Sequence, residues 1–110
     1  MSQYHEPTDE LSAKARDITR ALTSLKEEIE AVDWYNQRID ATEDASLKEI
    51  LAHNRDEEIE HACMALEWLR RNMDAWDENL KTYLFKTDKI TELEDEDEDN
   101  ASDLGIGKIK

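Results

Sequence analysis

Between Thr8 and Leu104 the sequence contains no glycine and no proline; Pro7 stands just before this stretch, and Gly105 and Gly107 just after it. Tight hairpins draw on Gly, Asn and Pro for backbone angles that other residues resist, so turn chemistry alone excludes an all-β fold. Folds that cradle a phosphate on a glycine-rich loop are excluded too, because the backbone must approach the ligand there without a Cβ in the way. An all-α chain of long helices remains.

At 110 residues one domain is the ceiling. The first helix is predicted to start at Thr8, an N-cap residue followed by Asp9 and Glu10, acids that complement the helix dipole in the first turn. It is predicted to run to about Asp40. Its apolar residues Leu11, Ala15, Ile18, Leu22, Leu25, Ile29 and Val32 alternate by four and three, with Ile39 further on, which is the spacing of a coiled-coil-like seam. Residues 41–45 read as a short connection, and Ser46 with Glu49 three positions later is a capping box that opens a second helix. So short a loop makes the two helices antiparallel neighbours. The second helix carries Leu47, Ile50, Leu51, Ala62, Ala65, Leu66, Leu69 and Met73 and is expected to last to about Asn72. A shorter one through Trp76, Leu80 and Leu84 follows it.

The resulting organisation is a disordered N-terminus (1–7), a helical hairpin domain (8–90), an acidic flexible linker (91–103) whose like charges repel one another, and a last segment (104–110), Leu-Gly-Ile-Gly-Lys-Ile-Lys. Each helix of a hairpin can bury only one stripe against the other. The remaining apolar surface calls for a second copy, and a homodimer completing a four-helix bundle is expected.

With 29 acids against 14 bases the formal net charge is −15, which repels nucleic acid and anionic lipid, so neither is an expected partner. No apolar run reaches the roughly 18 residues of a membrane span. The opening Met-Ser-Gln-Tyr-His-Glu lacks the basic and apolar regions of a secretory signal, and the single Cys63 cannot form an internal disulfide; an intracellular location is expected.

One constellation carries chemistry. Along the second helix the row Leu47, Leu51, Asn54, Glu58, His61, Ala65 is again spaced four and three, so a carboxylate and an imidazole occur where apolar residues belong. An uncompensated charge on a buried seam costs on the order of 3–5 kcal/mol. A divalent metal compensates most directly; a buried salt-bridge cluster is the other reading. The first helix offers Glu28, flanking Ile29 on its seam, with Tyr35 one heptad further on. One Glu on one helix and Glu-x-x-His on the next is half of a di-iron carboxylate site, whose full set takes two of each in a four-helix bundle. A symmetric dimer supplies the other half.

The segments Glu-Glu-Ile-Glu-Ala-Val-Asp-Trp-Tyr (27–35), Ala-His-Asn-Arg-Asp-Glu-Glu-Ile-Glu-His-Ala (52–62) and Leu-Glu-Trp-Leu-Arg-Arg (66–71) resemble the encapsulated ferritins, ferritin-like proteins carried inside encapsulin nanocompartments. The resemblance covers most of residues 20–85. It implies a two-helix protomer that forms a ferroxidase centre only at a dimer interface, with dimers assembling into an open ring, usually a decamer. By position it implies iron ligation and catalysis by Glu28, Glu58 and His61 of each of two subunits. It also implies an additional site for incoming metal at Glu27 and Glu30 near Trp34, and a tyrosine, Tyr35, close to the di-iron centre. Residues 27, 30 and 34 share one helix face, distinct from that of Glu28. The last segment resembles the loading peptide by which cargo docks on the inner wall of an encapsulin shell, Leu104, Ile106 and Ile109 entering a hydrophobic groove.

Other residues read as structural. Tyr35, Trp34, Trp68 and Trp76 are expected to pack rather than relay electrons, His53 to make a surface salt bridge with Glu49 or Glu57, and Cys63 to be a small packed side chain. Three functions follow: an encapsulated ferroxidase converting Fe(II) to Fe(III) with O₂, a peroxide-consuming di-iron protein, or a non-enzymatic helical adaptor with an acidic seam.

Overall fold

The structure, a computed structural model, describes residues 4–94. They form three helices, α1 (Ala13–Ala41), α2 (Ala45–Asn72) and α3 (Asp74–Tyr83), with short 3-10 turns at Thr8–Glu10 and Ile90–Glu92. No strand occurs among the described residues. No helix among them is long and apolar enough to cross a membrane. The chain divides into two compact units at the junction between Asn72 and Met73.

The first unit is the helical hairpin. α1 starts later than the sequence suggests. Thr8 belongs to the 3-10 turn instead, which closes at an extended Leu11, and Ser12 caps the helix. The Ala15 N–H donates to Ser12 Oγ at 3.0 Å, satisfying one of the orphan donors of the first turn. α2 likewise opens on Asp44 rather than Ser46: the Leu47 N–H donates to Asp44 Oδ1 at 2.8 Å, and the Asp44 N–H to Thr42 Oγ1 at 3.3 Å. A carboxylate at this position also meets the positive end of the helix dipole, an advantage a serine lacks. Three residues, 42–44, therefore turn the chain, and α1 and α2, each about 42–43 Å long, pack along one another.

The packed stripes follow from burial. On α1 they are Ala21, Leu25, Glu28, Val32, Tyr35 and Ile39; on α2 they are Leu51, Arg55, Glu58, Ala62, Ala65, Leu69 and Asn72. Both advance by three and four. The α1 stripe keeps Leu25, Val32 and Ile39 of the expected seam but exchanges its alternate positions: Ala21 and Glu28 lie inside, and Leu22 and Ile29, expected there, are 39% and 56% exposed. Among the described residues of this unit only Leu25 and Leu69 are buried hydrophobics, while Leu22, Ile29, Leu47, Ile50, Ile59 and Met64 remain exposed. Polar contacts cross the seam from Lys14 Nζ to Asn72 Oδ1 near one end and from Arg55 Nη1 to Asn36 Oδ1, 3.1 Å, towards the other. Lys14 also lies over the Trp68 ring, 5.3 Å from its centroid.

Near the end of α2, Glu67 accepts from Arg70 Nε at 2.7 Å and from Arg71 Nε at 2.6 Å. The two guanidinium groups, as hydrogen-bond donors first, hold its carboxyl at about 2, against 4.5 ordinarily. A group with a depressed folded pKa stabilises the fold above its unfolded value and loses that contribution as pH falls. Glu67→Gln is therefore expected to flatten the stability profile between about pH 4.5 and 2, read by urea denaturation at stepped pH.

In the second unit, α3 ends at an extended Leu84 whose N–H donates to the Leu80 carbonyl. The next residue, Phe85, sits at φ 59°, a left-handed conformation that costs a non-glycine residue roughly 1–2 kcal/mol. Its side chain is fully exposed. The segment read as an acidic linker starts within the Ile90–Glu92 turn, followed by a buried Leu93. Residues 95–103 of that linker, and all of 104–110, lie outside the described residues.

Candidate metal centre

Glu28 is carried by the middle of α1, and Glu58 and His61 by the middle of α2, one helical turn apart. Antiparallel packing in the register marked by Arg55 and Asn36 brings the three together from opposite sides of the seam. Glu28 interacts electrostatically with both α2 residues and with its neighbour Glu27. Glu58 lies on the inner stripe, with 28% of its side chain exposed; His61 lies beside it, 44% exposed, its Nδ1 3.9 Å from Glu58 Oε1. The sequence placed Glu58 and His61 on one buried row. The structure separates them, one facing α1 and the other turned outward.

Glu28 holds the most informative atom. Its Oε2 is buried and has no hydrogen-bond partner. Burial pushes the carboxyl above its ordinary 4.5, His61 opposes that shift, and Glu58 and Glu27 add to it. An unpartnered, desolvated carboxylate oxygen next to a second carboxylate is unfavourable by itself. Added positive charge there would relieve both the desolvation and the repulsion, so the donor set fits a cation. Two carboxylates with one imidazole is a hard, oxygen-rich set with a borderline nitrogen, suited to iron. Among the described residues, no three His, Cys, Asp or Glu side chains of the single chain gather closely enough to hold a metal ion by themselves.

His61 falls on a helical row with Leu47, Ile50 and Met64, all exposed apolar residues. On α1, Ile29 and Leu22 lie exposed beside Glu28 and one heptad before Ile29. The open side of the constellation thus borders an apolar surface.

The remaining predicted residues are more dispersed. Glu27 and Glu30 are exposed, as is Trp34 at 50%, so this tryptophan does not pack within the chain as expected. Tyr35 is half-buried on the same stripe as Glu28, with the Arg38 guanidinium 5.3 Å from its ring centroid. Trp68 and Trp76 are half-buried. His53 makes the expected surface pair, its Nε2 2.9 Å from Glu57 Oε1. Cys63 is exposed rather than packed, because Ala62 and Ala65 occupy the inner stripe on either side of it. Sequence reasoning overlooked the link from Arg55 to Asn36; its one available signal was an arginine a single turn before Glu58.

A long helical hairpin bearing Glu on one helix and Glu-x-x-His on the other defines a ferritin-like protein. Known proteins agree. The family model described as EncFtn-like matches residues 3–87. A "Ferritin-like protein" of Thermotoga maritima is 60% identical over 111 residues, covering 97% of each chain. An "Encapsulated ferritin-like protein" of Rhodospirillum rubrum is 49% identical over 121 residues, covering 96% of this chain and 86% of the relative. Among solved structures, the crystal structure of protein ne0167 from Nitrosomonas europaea has a TM-score of 0.79 at 60% identity, covering 81% of this chain and 98% of its own. The chain belongs to the EncFtn-like family.

Proposed function

We propose that this protein is a ferroxidase that oxidises Fe(II) to Fe(III) with O₂ at a di-iron site shared by two copies of the chain, and that it delivers the product for storage inside an encapsulin compartment. The observation that carries this reading is the buried, partnerless Oε2 of Glu28 beside Glu58 and His61. Each copy supplies Glu28, Glu58 and His61, and the apolar row through Leu47, Ile50 and Met64 gives the second copy a surface to cover next to His61.

Fe(II) is the substrate. Paired ions offer O₂ two electrons together, a step that a single Fe(II) supports poorly. The chain's own residues do the rest. Glu28 and Glu58 bind Fe(II) as anions and favour the oxidised, more highly charged product. His61 binds as the neutral imidazole and so must shed any proton first. Glu27, Glu30 and Trp34, exposed on a separate face, collect incoming Fe(II). The ring of dimers, a decamer, displays many copies of segment 104–110 to the encapsulin shell.

Stopped-flow oxidation of added Fe(II) tests the reading. His61→Ala is expected to lower the rate at least tenfold without changing helical content, since even residues that merely support a metal ligand contribute 10–100-fold. An unchanged rate in His61→Ala and Glu28→Ala would leave the helical adaptor as the better description. Faster turnover with peroxide than with O₂ would replace the ferroxidase by a peroxide-consuming protein.

A further inference from the structure

We propose that Met64 is a modification site: its sulfur takes up the peroxide made at the adjoining metal centre, and the sulfoxide so formed loosens the hold of the second copy. The inference rests on the ferroxidase reading above and extends it to the fate of the reduced oxygen. Two Fe(II) ions give O₂ two electrons, and with two protons the oxygen leaves as H₂O₂. A strong oxidant is thereby released inside the surface that two copies share.

The chain carries sulfur at Cys63, Met64 and Met73, besides Met1 outside the described residues. Helix geometry singles out one of them. Met64 stands three positions after His61 on α2, so the two side chains are neighbours on one face, with Cβ atoms roughly 5–6 Å apart. It is 59% exposed in the single chain and belongs to the apolar row beside His61. Cys63 is nearer in sequence, but at two positions from His61 it turns to almost the opposite side of α2. Met73 is half-buried beyond the end of α2, and about 17 Å of helix separates His61 from that end.

The chemistry balances. A lone pair of the thioether sulfur attacks one peroxide oxygen and the O–O bond breaks. The departing hydroxide takes the proton left on the transferred oxygen and leaves as water. Sulfur loses two electrons and the peroxide gains them. A flexible apolar side chain thereby becomes a polar one. On the row through Leu47, Ile50 and Met64 the sulfoxide would meet an apolar partner surface, and a polar group covered without a hydrogen bond is unfavourable. Each chain does this once, until a reductase restores the thioether.

Peptide mass mapping of the full chain after Fe(II) oxidation under isotopically heavy O₂ tests the capture, with iron oxidation followed in parallel. Met64 is expected to gain one heavy oxygen at least about tenfold more often than Met73, and catalase, which removes dissolved peroxide, to protect Met73 but not Met64. Glu28→Gln, which leaves Fe(II) to oxidise in solution, is expected to abolish the share of Met64 labelling that resists catalase. Native mass spectrometry should find modified chains enriched among free chains, and methionine sulfoxide reductase should return them to the assembly. Iron oxidation with Met64 unmodified, or with Met64 protected by catalase as fully as Met73, overturns the capture and leaves the ferroxidase reading standing. Modified chains equally abundant in free and assembled protein overturn the loosening. No iron oxidation at all overturns the ferroxidase reading and the capture with it.

Discussion

Glu28→Gln is expected to slow Fe(II) oxidation by a factor of about 100 or more while making the metal-free protein more stable. The two effects share one cause. Oε2 of Glu28 is buried without a partner, and Glu58 and Glu27 both repel the charge that burial already disfavours. Glutamine keeps the shape and removes the charge. An unsatisfied buried polar group costs about 1–3 kcal/mol, of which the amide recovers a part, so a gain on the order of 1 kcal/mol is expected in urea denaturation. If the cluster were instead a self-sufficient buried salt bridge, removing one partner would destabilise the fold by roughly 3–5 kcal/mol. The sign of the change separates the two readings. The gap also depends on pH in a known direction: because the folded carboxyl titrates above 4.5, its penalty grows as pH rises through the folded value and is complete beyond it. The advantage of Glu28→Gln should therefore be full at neutral pH and fade towards pH 4.5.

Deleting residues 104–110 is expected to abolish co-purification with an encapsulin shell and to leave the oxidation rate per chain unchanged. Leu104, Ile106 and Ile109 are separated by Gly105, Gly107 and Lys108, a sequence pattern of spaced apolar anchors that suits an apolar groove. The proposed assembly would display many such peptides and gain from effective concentration, by factors of about 10²–10⁴, so the loss on deletion should be close to complete. Replacing only Ile106 and Ile109 with serine should give the same result if the anchors bind by burial. Retained co-purification in both variants would assign shell attachment to another part of the chain.

The helices, their order and the short turn were readable from the absence of glycine and proline and from the three-four spacing. The helix starts were less so, because capping chemistry recurs within a few residues: Thr8 and Ser12 both qualify for α1, and Asp44 and Ser46 both qualify for α2. Hydrogen bonds from Ala15 and Leu47 decide for Ser12 and Asp44. The seam carried a subtler ambiguity. A sequence wheel shows that apolar residues form stripes, not which stripe packs inside the chain and which stays open. Its apolar side chain alone puts Ile29 inside, yet Glu28 is there and Ile29 is exposed. His61 fell on the open side for the same reason. The three candidate ligands were legible as a set because their residue types are costly on a seam.

The contacts of Lys14 with Asn72 and of Arg55 with Asn36, which cross the hairpin, act as end stops. Its inner stripes include the small residues Ala21, Ala62 and Ala65, against which a partner helix could slide with little change in contact area. A slip of one turn, about 5.4 Å, would keep apolar against apolar. It would break the contact of Lys14 with Asn72 and that of Arg55 with Asn36 together. Because Glu28, Glu58 and His61 lie between these two points along the hairpin, the alignment of acid with acid is calibrated at both ends, in the manner of a ruler fixed at two marks.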